Sequence, residues 1–348
     1  MKQDVIVITE EENACDALLD DYVRRSREAS VYHCSRWRKV IKESFGNRSY
    51  HLYSRNAGGR ISGILPLVHL KSILFGNMLV SLPYFNYGGV CADDDSTQAR
   101  LIDEAVRIAE AQRAHHIEFR QEKPFHNGYA VKTAKVSMRL DLPTSPDDLW
   151  RSFPSKLRSQ AAKPQKEGMT FRIGKMEELE GFYDVFATNM RDLGTPVYPI
   201  RFFRSILEHF PENSWICNVY MTRVPVASGF LIGFKERMEI PWASSLKKHN
   251  RMSPNMFLYW SCLKFACEQG YGIFDFGRST PGEGAYRFKE QWGAKPVPLY
   301  WNYWLPDGKE LPEINPRNEK YRLAIRCWKR LPVALTKRIG PWIVKSIP

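Results

Sequence analysis

Hydrophobic positions up to residue 120 recur first at helical spacing and then at strand spacing. A polar helix is predicted over residues 15–30, and an apolar one runs from Trp37 to Phe45 and stops at Gly46. The turn sequence at 56–59 joins two of the strands that follow. The other predicted elements are strands at Tyr50–Arg55, Arg60–Leu70, Asn77–Leu82 and His116–Arg120, a loop with exposed aromatic side chains at Pro83–Val90, and a helix capped by Ser96 that runs to about Ala114.

A similar order of elements returns after a polar stretch near residue 145 that contains Pro143 and Pro146. Ser253 and Pro254 are typical of an N-cap followed by proline at the first helical position. The elements predicted in this half are helices at Leu179–Arg191, Ile200–Phe210 and Pro254–Glu268, and strands at Trp215–Thr222, Val226–Phe234, Met238–Ser244 and Ile273–Phe276.

Two short sequence matches relate the halves. Residues 61–65 resemble residues 227–231, and residues 117–120 resemble 274–276, with Arg278 slightly later. We therefore expect an α/β protein built from two copies of one unit, each a mixed sheet with helices on its faces. The first domain is expected at 1–145, the second at 146–305, and a basic C-terminal tail at 306–348.

Length and composition limit the classes of protein to which the chain can belong. The chain has 348 residues and is 43% hydrophobic, which allows two sizeable cores. Its most apolar window, Leu65–Phe85, is interrupted by charged and turn-forming residues, so no transmembrane helix is expected, and the N-terminus lacks a signal-peptide pattern. Seven scattered cysteines form no CxxC pair, so we expect a cytoplasmic protein without a metal centre or a disulfide framework.

The formal net charge is +13, and residues 320–348 carry eight of the positive charges and no acidic residue. The rest of the chain is basic by about +5. A membrane surface, a phosphate ligand and RNA all fit this charge. In the tail, apolar residues recur at helical spacing, with breaks expected at Pro332 and at Gly340-Pro341, so the tail either contacts an anionic membrane surface peripherally or packs as a helix on domain one.

The stretch 274–293 passes from an apolar strand through a glycine-rich loop into a basic, aromatic segment. Such a loop can approach a ligand closely. The residues Phe274-Asp275-Phe276-Gly277-Arg278-Ser279, followed by Tyr286-x-Phe288-Lys289-x-x-Trp292-Gly293, resemble the closing motif of Fem-type aminoacyltransferases and BioF2-like acetyltransferase domains. Together with residues 81–89 and 194–196, they are most similar to the FemAB-like subgroup associated with exosortase (PEP-CTERM) and exopolysaccharide systems. The resemblance covers about residues 35–305.

This resemblance implies two tandem GNAT-like acyl-CoA N-acyltransferase folds and acyl transfer to an amine. Classical Fem enzymes take the amino acid from aminoacyl-tRNA and pass it to a lipid- or nucleotide-linked peptidoglycan precursor. Two departures leave donor and acceptor open: Asn86-Tyr87-Gly88-Gly89 replaces an Arg-Gly-Pro sequence, and the long helical arm of some members is absent. No bound cofactor is expected, and the acyl donor is either aminoacyl-tRNA or acyl-CoA.

Three residues are the candidates for catalysis. In the family, the lysine equivalent to Lys289 lies beside the reacting groups, where a cation can stabilise an oxyanion or bind phosphate. Arg278 follows the strand end and suits capture of phosphate or carboxylate, or it forms a structural pair with Asp275 or Glu283. Asp275 is either a general base or, by our preference, the residue that orients Arg278. A surface lysine between two core aromatics is the structural alternative for Lys289.

Several further residues are candidates for substrate binding. Tyr286 either hydrogen-bonds a substrate or packs in the core, and Asn86 and Tyr87 would face an inter-domain cleft if the halves pack as in the family. Basic residues predict phosphate contacts in two segments. For the first of them, which could also contact an RNA backbone, a solvated helix face is the structural alternative. The candidate residues are Arg158 in the segment 156–168, and Lys248 and Arg251 in the segment before the helix at Pro254.

The sequence thus predicts a transferase that passes an acyl or aminoacyl group to an amine of a peptidoglycan or exopolysaccharide precursor. Two alternatives stay open: an acyl-CoA-dependent N-acyltransferase acting on an amino sugar, and a non-catalytic module that binds an anionic glycan or RNA.

Overall fold

The computed structural model describes residues 5–8, 15–73, 75–125, 128–306, 309–311 and 319–347, with backbone alone at 319–321. The strands are β1 Val5–Ile8, β2 Arg48–Arg55, β3 Ile61–Ser72, β4 Gly76–Val80, β5 Cys91–Ala92, β6 His116–Gln121, β7 Ala130–Lys132, β8 Val136–Asp141, β9 Met169–Gly174, β10 Ser214–Met221, β11 Val224–Phe234, β12 Arg237–Ser245, β13 Ile273–Ser279, β14 Lys295–Pro298 and β15 Tyr300–Trp304. The helices are α1 Asp16–Arg25, α2 Trp37–Phe45, α3 Asp95–Ala111, α4 Pro146–Ser152, α5 Ser155–Lys166, α6 Leu179–Leu193, α7 Ile200–His209, α8 Pro254–Glu268, α9 Gly284–Glu290, α10 Glu319–Trp328 and α11 Val333–Val344.

These elements form two compact units. The first unit contains the described residues of Met1–Ala134, Pro298–Ile314 and Lys345–Pro348, and the second contains those of Lys135–Val297 and Asn315–Val344. The predicted boundary near residue 145 lies beyond β8, which is already part of the second unit's sheet. The alternation of Val136, Met138 and Leu140 was the available signal for that strand.

The strands of the two sheets follow the same order. In the first unit the order is β1-β2-β3-β4-β6-β15-β7, with β5 paired to β3, and in the second it is β9-β10-β11-β12-β13-β8-β14. β4 and β6 form a parallel pair, and β12 and β13 form a parallel pair at the same place in the order. The matched sequences at residues 61–65 and 227–231 lie on the corresponding strands β3 and β11. The predicted duplication of a mixed α/β unit is therefore confirmed.

In each unit, the strand beside the parallel pair comes from a distant part of the chain. In the first unit, β15 pairs with β6, and in the second, β8 pairs with β13. The predicted second domain at 146–305 and tail from 306 placed β15 in domain two, whereas this strand completes the sheet of the first unit. Local periodicity does not specify such long-range pairing.

The core of the second unit packs α8 against β13. Phe274 and Phe276 point to this side, and the ring of Tyr259 on α8 stacks on Phe276 at a centroid distance of 5.5 Å. Asp275 lies between them in the sequence and so faces the other side of the sheet, as the alternation of a strand requires. This packing fixes the position of the strand that leads into the glycine-rich loop.

Two local predictions for the first unit were wrong. Asp94, not Ser96, is the N-cap of α3, because its carboxylate accepts from the backbone N–H of Thr97 at 2.7 Å. The aromatic side chains of 83–90 are not exposed, since Phe85 and Tyr87 are 3% and 2% accessible and pack on Tyr32. Hydrophobic burial outweighed the turn-forming character of this loop.

The C-terminal tail forms two helices in the second unit. The chain breaks between α10 and α11 at Pro332 as predicted, but α11 continues through Pro341. α11 packs on α6 of the second unit. Lys337 pairs with Asp184, and the guanidinium of Arg191 donates to the carbonyl of Leu331 at 3.0 Å.

Replacement of the α3 cap tests the corrected start of this helix. We expect Asp94→Ala to lower the free energy of unfolding by about 1 kcal/mol, because the N–H of Thr97 loses its acceptor. Urea denaturation of the full chain is the measurement. Ser96→Ala is the matched control and should change the free energy by less than about 0.5 kcal/mol. Equal losses in both variants would contradict the assignment of the cap.

Candidate active site

The parallel strands β12 and β13 stay paired over a short distance. Their register joins Arg237–Glu239 to Ile273–Asp275. Beyond that point β12 stays paired with β11 as far as Ser245, and β13 stays paired with β8 as far as Ser279. The carboxyl ends of the two strands therefore diverge, and in open α/β sheets this is where ligands bind.

A bulge in β13 marks the place of divergence. Its register with β8 shifts between Asp275 and Arg278, and Gly277 has a φ of 74°. A side chain at position 277 would be strained in this conformation. The N–H of Gly277 donates to the carboxylate of Asp275 at 2.8 Å, so the bulge is held by the strand's own acidic residue.

Lys289 on α9 reaches the bulge from the following helix. Its ammonium nitrogen donates to the carbonyl oxygens of Gly277 and Arg278, each at 2.9 Å, and the residue is only 7% exposed. An ammonium group has three N–H donors, so one of them has no acceptor among the described residues. The structural alternative of a surface lysine is wrong, because this side chain is buried against the strand end.

The pKa of Lys289 is lowered to about 8, mainly because the side chain is buried. The carboxylates of Asp275 and Glu239 oppose this shift, and the nearby cation Arg278 adds to it. A lysine with this pKa is mostly protonated at neutral pH but gives up a proton more readily than a surface lysine. Such a group can donate a hydrogen bond to a developing oxyanion or a proton to a leaving group.

Asp275 holds the framework of the site. The residue is fully buried, and its carboxylate accepts from the hydroxyl of Ser137 and from Arg139 Nε at 3.0 Å, as well as from Gly277. Arg139 stands directly opposite Asp275 on β8. These bonds use both carboxylate oxygens, which suits an orienting role. The pairing of Asp275 with Arg278 stays a prediction, and the structure shows a partner from the neighbouring strand, Arg139.

Sequence patterns did not single out several residues of this site. Glu239 is 4% exposed and pairs in register with Asp275, and Arg139 and Ser137 hold the same carboxylate. The hydroxyl of Ser279 and the indole N–H of Trp292 are buried and have no hydrogen-bond partner among the described residues. Ser279 and Trp292 lie in the closing motif, but nothing in the sequence showed that their polar atoms would be left unsatisfied.

The remaining predicted residues of the second unit lie around this strand end or beside α8. The side chain of Arg278 is exposed at the end of β13, and Tyr286 is half-buried against the core. Arg158 on α5 is half-buried, and its Nε has no hydrogen-bond partner among the described residues. Lys248 and Arg251 are exposed in the turn before α8, and Lys163 of α5 donates to the Arg251 carbonyl at 3.1 Å. A second basic region thus joins α5 to the start of α8.

Asn86 and Tyr87 lie in the first unit. Asn86 is half-buried, whereas Tyr87 is packed in the aromatic cluster with Tyr32. Their assignment to substrate binding stays a prediction, as do the roles of the candidate residues in the second unit.

Comparison with known proteins identifies the fold. Residues 151–290 match the family model described as an acetyltransferase (GNAT) domain, a range that includes β13 and Lys289. A comparison with curated protein sequences gave no match.

Solved structures resemble the chain over most of its length. FemX is 14% identical with a TM-score of 0.64, covering 84% of this chain and 96% of FemX. L-PGS from Bacillus licheniformis is 16% identical with a TM-score of 0.55, covering 90% of this chain and 96% of that one. A tandem GNAT protein from the clavulanic acid biosynthesis pathway is 9% identical with a TM-score of 0.54, covering 89% and 100%. The chain therefore has a GNAT-type acyltransferase fold.

Neutralising Asp275 tests the electrostatics of the site. Because the carboxylate of Asp275 raises the pKa of Lys289, Asp275→Asn should lower that pKa below its wild-type value of about 8. Glu239→Gln should act in the same direction if Asp275→Asn folds poorly. An NMR titration of the Lys289 side chain measures the change.

The matched control is Asp141→Asn, which removes an exposed carboxylate from the other end of β8 and should leave the pKa of Lys289 unchanged. An unaltered or raised pKa in both Asp275→Asn and Glu239→Gln would contradict the proposed arrangement of charges.

Proposed function

We propose that the protein transfers an acyl or aminoacyl group from an activated donor to an amine of a cell-envelope precursor, in peptidoglycan or exopolysaccharide synthesis. The observation that carries this proposal is the buried ammonium of Lys289 at the divergence of β12 and β13 in a GNAT-type fold. One of its N–H donors has no acceptor in the part of the chain that the structure describes. The choice of an envelope precursor follows the resemblance of the closing motif to Fem-type enzymes.

The protein has little covalent chemistry to contribute to this reaction. The amine nitrogen attacks the donor carbonyl carbon, and the bond from that carbon to the ester oxygen or thioester sulfur breaks. The nitrogen loses one proton and the leaving oxygen or sulfur gains one, so the products are an amide and an alcohol or thiol. Lys289 would donate its remaining N–H to the carbonyl oxygen as negative charge develops, and an interaction made mainly in the transition state accelerates the step. Asp275 would keep the loop and Lys289 in position, and Arg278 would bind an anionic part of a substrate.

The donor is either aminoacyl-tRNA or acyl-CoA. The basic turn with Lys248 and Arg251 precedes the N-terminus of α8, and backbone N–H groups at such a terminus favour phosphate. Arg158 adds a guanidinium on the neighbouring helix α5. These groups suit the phosphates of either donor, so the region supports acyl-CoA chemistry on an amino sugar as a second candidate function.

Incubation with each donor separates the possible functions. Purified protein is given labelled aminoacyl-tRNA or labelled acyl-CoA together with amine acceptors, and transfer is followed by mass spectrometry. Transfer from aminoacyl-tRNA to a precursor amine supports the proposal, and turnover of acyl-CoA on an amino sugar supports the second candidate. Binding of either donor without turnover would indicate a non-catalytic module and contradict both.

Replacement of Lys289 tests its role in that assay. We expect Lys289→Met to lower turnover by about 10²–10³-fold, the range for loss of one oxyanion donor. Stability should change by no more than about 2 kcal/mol, because relief of the buried charge opposes the loss of two hydrogen bonds. Lys295→Met, at an exposed position, is the control and should keep wild-type activity. Wild-type turnover in Lys289→Met would remove Lys289 from the mechanism.

The pH dependence follows from the direction of the Lys289 shift. The ammonium form is complete well below the lowered pKa and is lost as pH rises through about 8, so kcat/KM should fall about tenfold per pH unit above that value. The measurement uses an acceptor amine that is already deprotonated over the whole range. A rate that stays constant to pH 10 would show that the charge of Lys289 does not contribute.

A further inference from the structure

The outer face of the two C-terminal helices combines large apolar side chains with arginines. Leu323, Leu335 and Trp342 are 64%, 41% and 73% exposed, although leucine and tryptophan normally bury most of their surface. Arg322, Arg326 and Arg338 are exposed among them. We call these six residues the C-terminal outer face.

This exposure is not caused by loose packing of the helices. On α11, Thr336, Gly340 and Val344 are buried and follow one another every fourth residue. A Cβ at position 340 would lie 2.9 Å from the backbone nitrogen of Val197, so the helix is seated closely on its unit. Leu335, Arg338 and Trp342 recur at the spacing of the opposite side of the helix. The fold therefore holds the apolar residues outward.

The charged residues of this C-terminal segment all have one sign. Residues 320–348 contain no acidic residue, and Lys329 and Arg330 are exposed between the helices. Such a surface attracts anions, of which a nucleic acid and a lipid bilayer are the two large classes. A phosphate backbone offers no place to bury leucine and tryptophan, whereas the boundary between lipid head groups and acyl chains takes up these side chains beside arginine.

We propose that the C-terminal outer face binds the surface of an anionic lipid bilayer, with α10 and α11 lying along it. Leu323, Leu335 and Trp342 enter the head-group boundary, and the arginines contact lipid phosphates. None of the helices among the described residues qualifies as a membrane-spanning segment. This inference rests on the helices alone and does not depend on the proposed acyl transfer.

Co-sedimentation with vesicles tests the proposal on the full chain. The wild type should sediment with vesicles of equal parts phosphatidylglycerol and phosphatidylcholine and stay in the supernatant with phosphatidylcholine alone. Arg322→Gln combined with Arg326→Gln and Arg338→Gln should weaken binding about 100-fold, at about fivefold for each cation. Leu323→Ser with Trp342→Ser should weaken it at least tenfold without any change in charge.

Matched controls keep the comparison specific. Val224→Ser removes another exposed apolar side chain of the same unit, and the triple change Arg223→Gln, Lys235→Gln and Lys295→Gln removes the same charge from exposed positions elsewhere. Both should bind vesicles like the wild type. All positions are exposed, so thermal unfolding of each variant should match the wild type.

Two results would overturn the proposal. The first is wild-type sedimentation of the Leu323→Ser, Trp342→Ser variant, which would show that no side chain enters the bilayer. The second is binding of transfer RNA that is weakened by the arginine changes, without any binding to anionic vesicles, which would identify the face as a nucleic-acid surface. Acyl transfer to a soluble amine, measured in parallel, keeps this result separate from that of the proposed function.

Discussion

The divergence of β12 and β13 is the constraint on which the rest of the site depends. Strands that separate leave backbone carbonyl groups without a ladder partner, and buried carbonyls need one. The ammonium of Lys289 satisfies those of Gly277 and Arg278 from the following helix. A buried cation is itself unfavourable, so the carboxylates of Asp275 and Glu239 are required nearby. The bulge, the acidic pair and the lysine therefore form one interdependent arrangement.

The surroundings of the position of Asp275 differ between the two copies of the fold. In the first unit, Glu118 occupies the place of Asp275, since each is the last residue of its strand paired with the parallel neighbour. Glu118 is bound by Arg120 and Tyr303, and Arg120 also donates to the carbonyl of Phe85 and lies 4.4 Å over the ring of Trp301. In the first copy, arginine and aromatic side chains fill this position, whereas in the second a lysine has one N–H donor that no described residue accepts. This contrast favours the second unit as the one that performs chemistry.

The sequence could predict what depends on neighbours in the chain. The helices α1–α3 and α6–α8, the strands β2–β4, β6 and β10–β13, and the duplicated order follow from local periodicity. So does the position of Asp275 on the sheet face opposite Phe274 and Phe276, whereas Lys289 followed from the closing motif. The partners of Asp275 could not be predicted, because Arg139 lies on a strand 136 residues away in the chain. For the same reason, local sequence patterns could not predict that β15 belongs to the first sheet or that α11 packs on α6. Ser96 failed as a cap because Asp94, two residues earlier, offers a stronger acceptor to the same helix end.

The central claim is that an activated acyl group lies between the diverging ends of β12 and β13, beside Lys289. Photocrosslinking with a donor analogue that carries a diazirine on its acyl group, followed by peptide mass spectrometry, tests this claim most directly. The account predicts label in residues 240–245 of β12 and in residues 275–293, with competition by unlabelled donor. Competable label confined to the first unit, with none in these two segments, would contradict it.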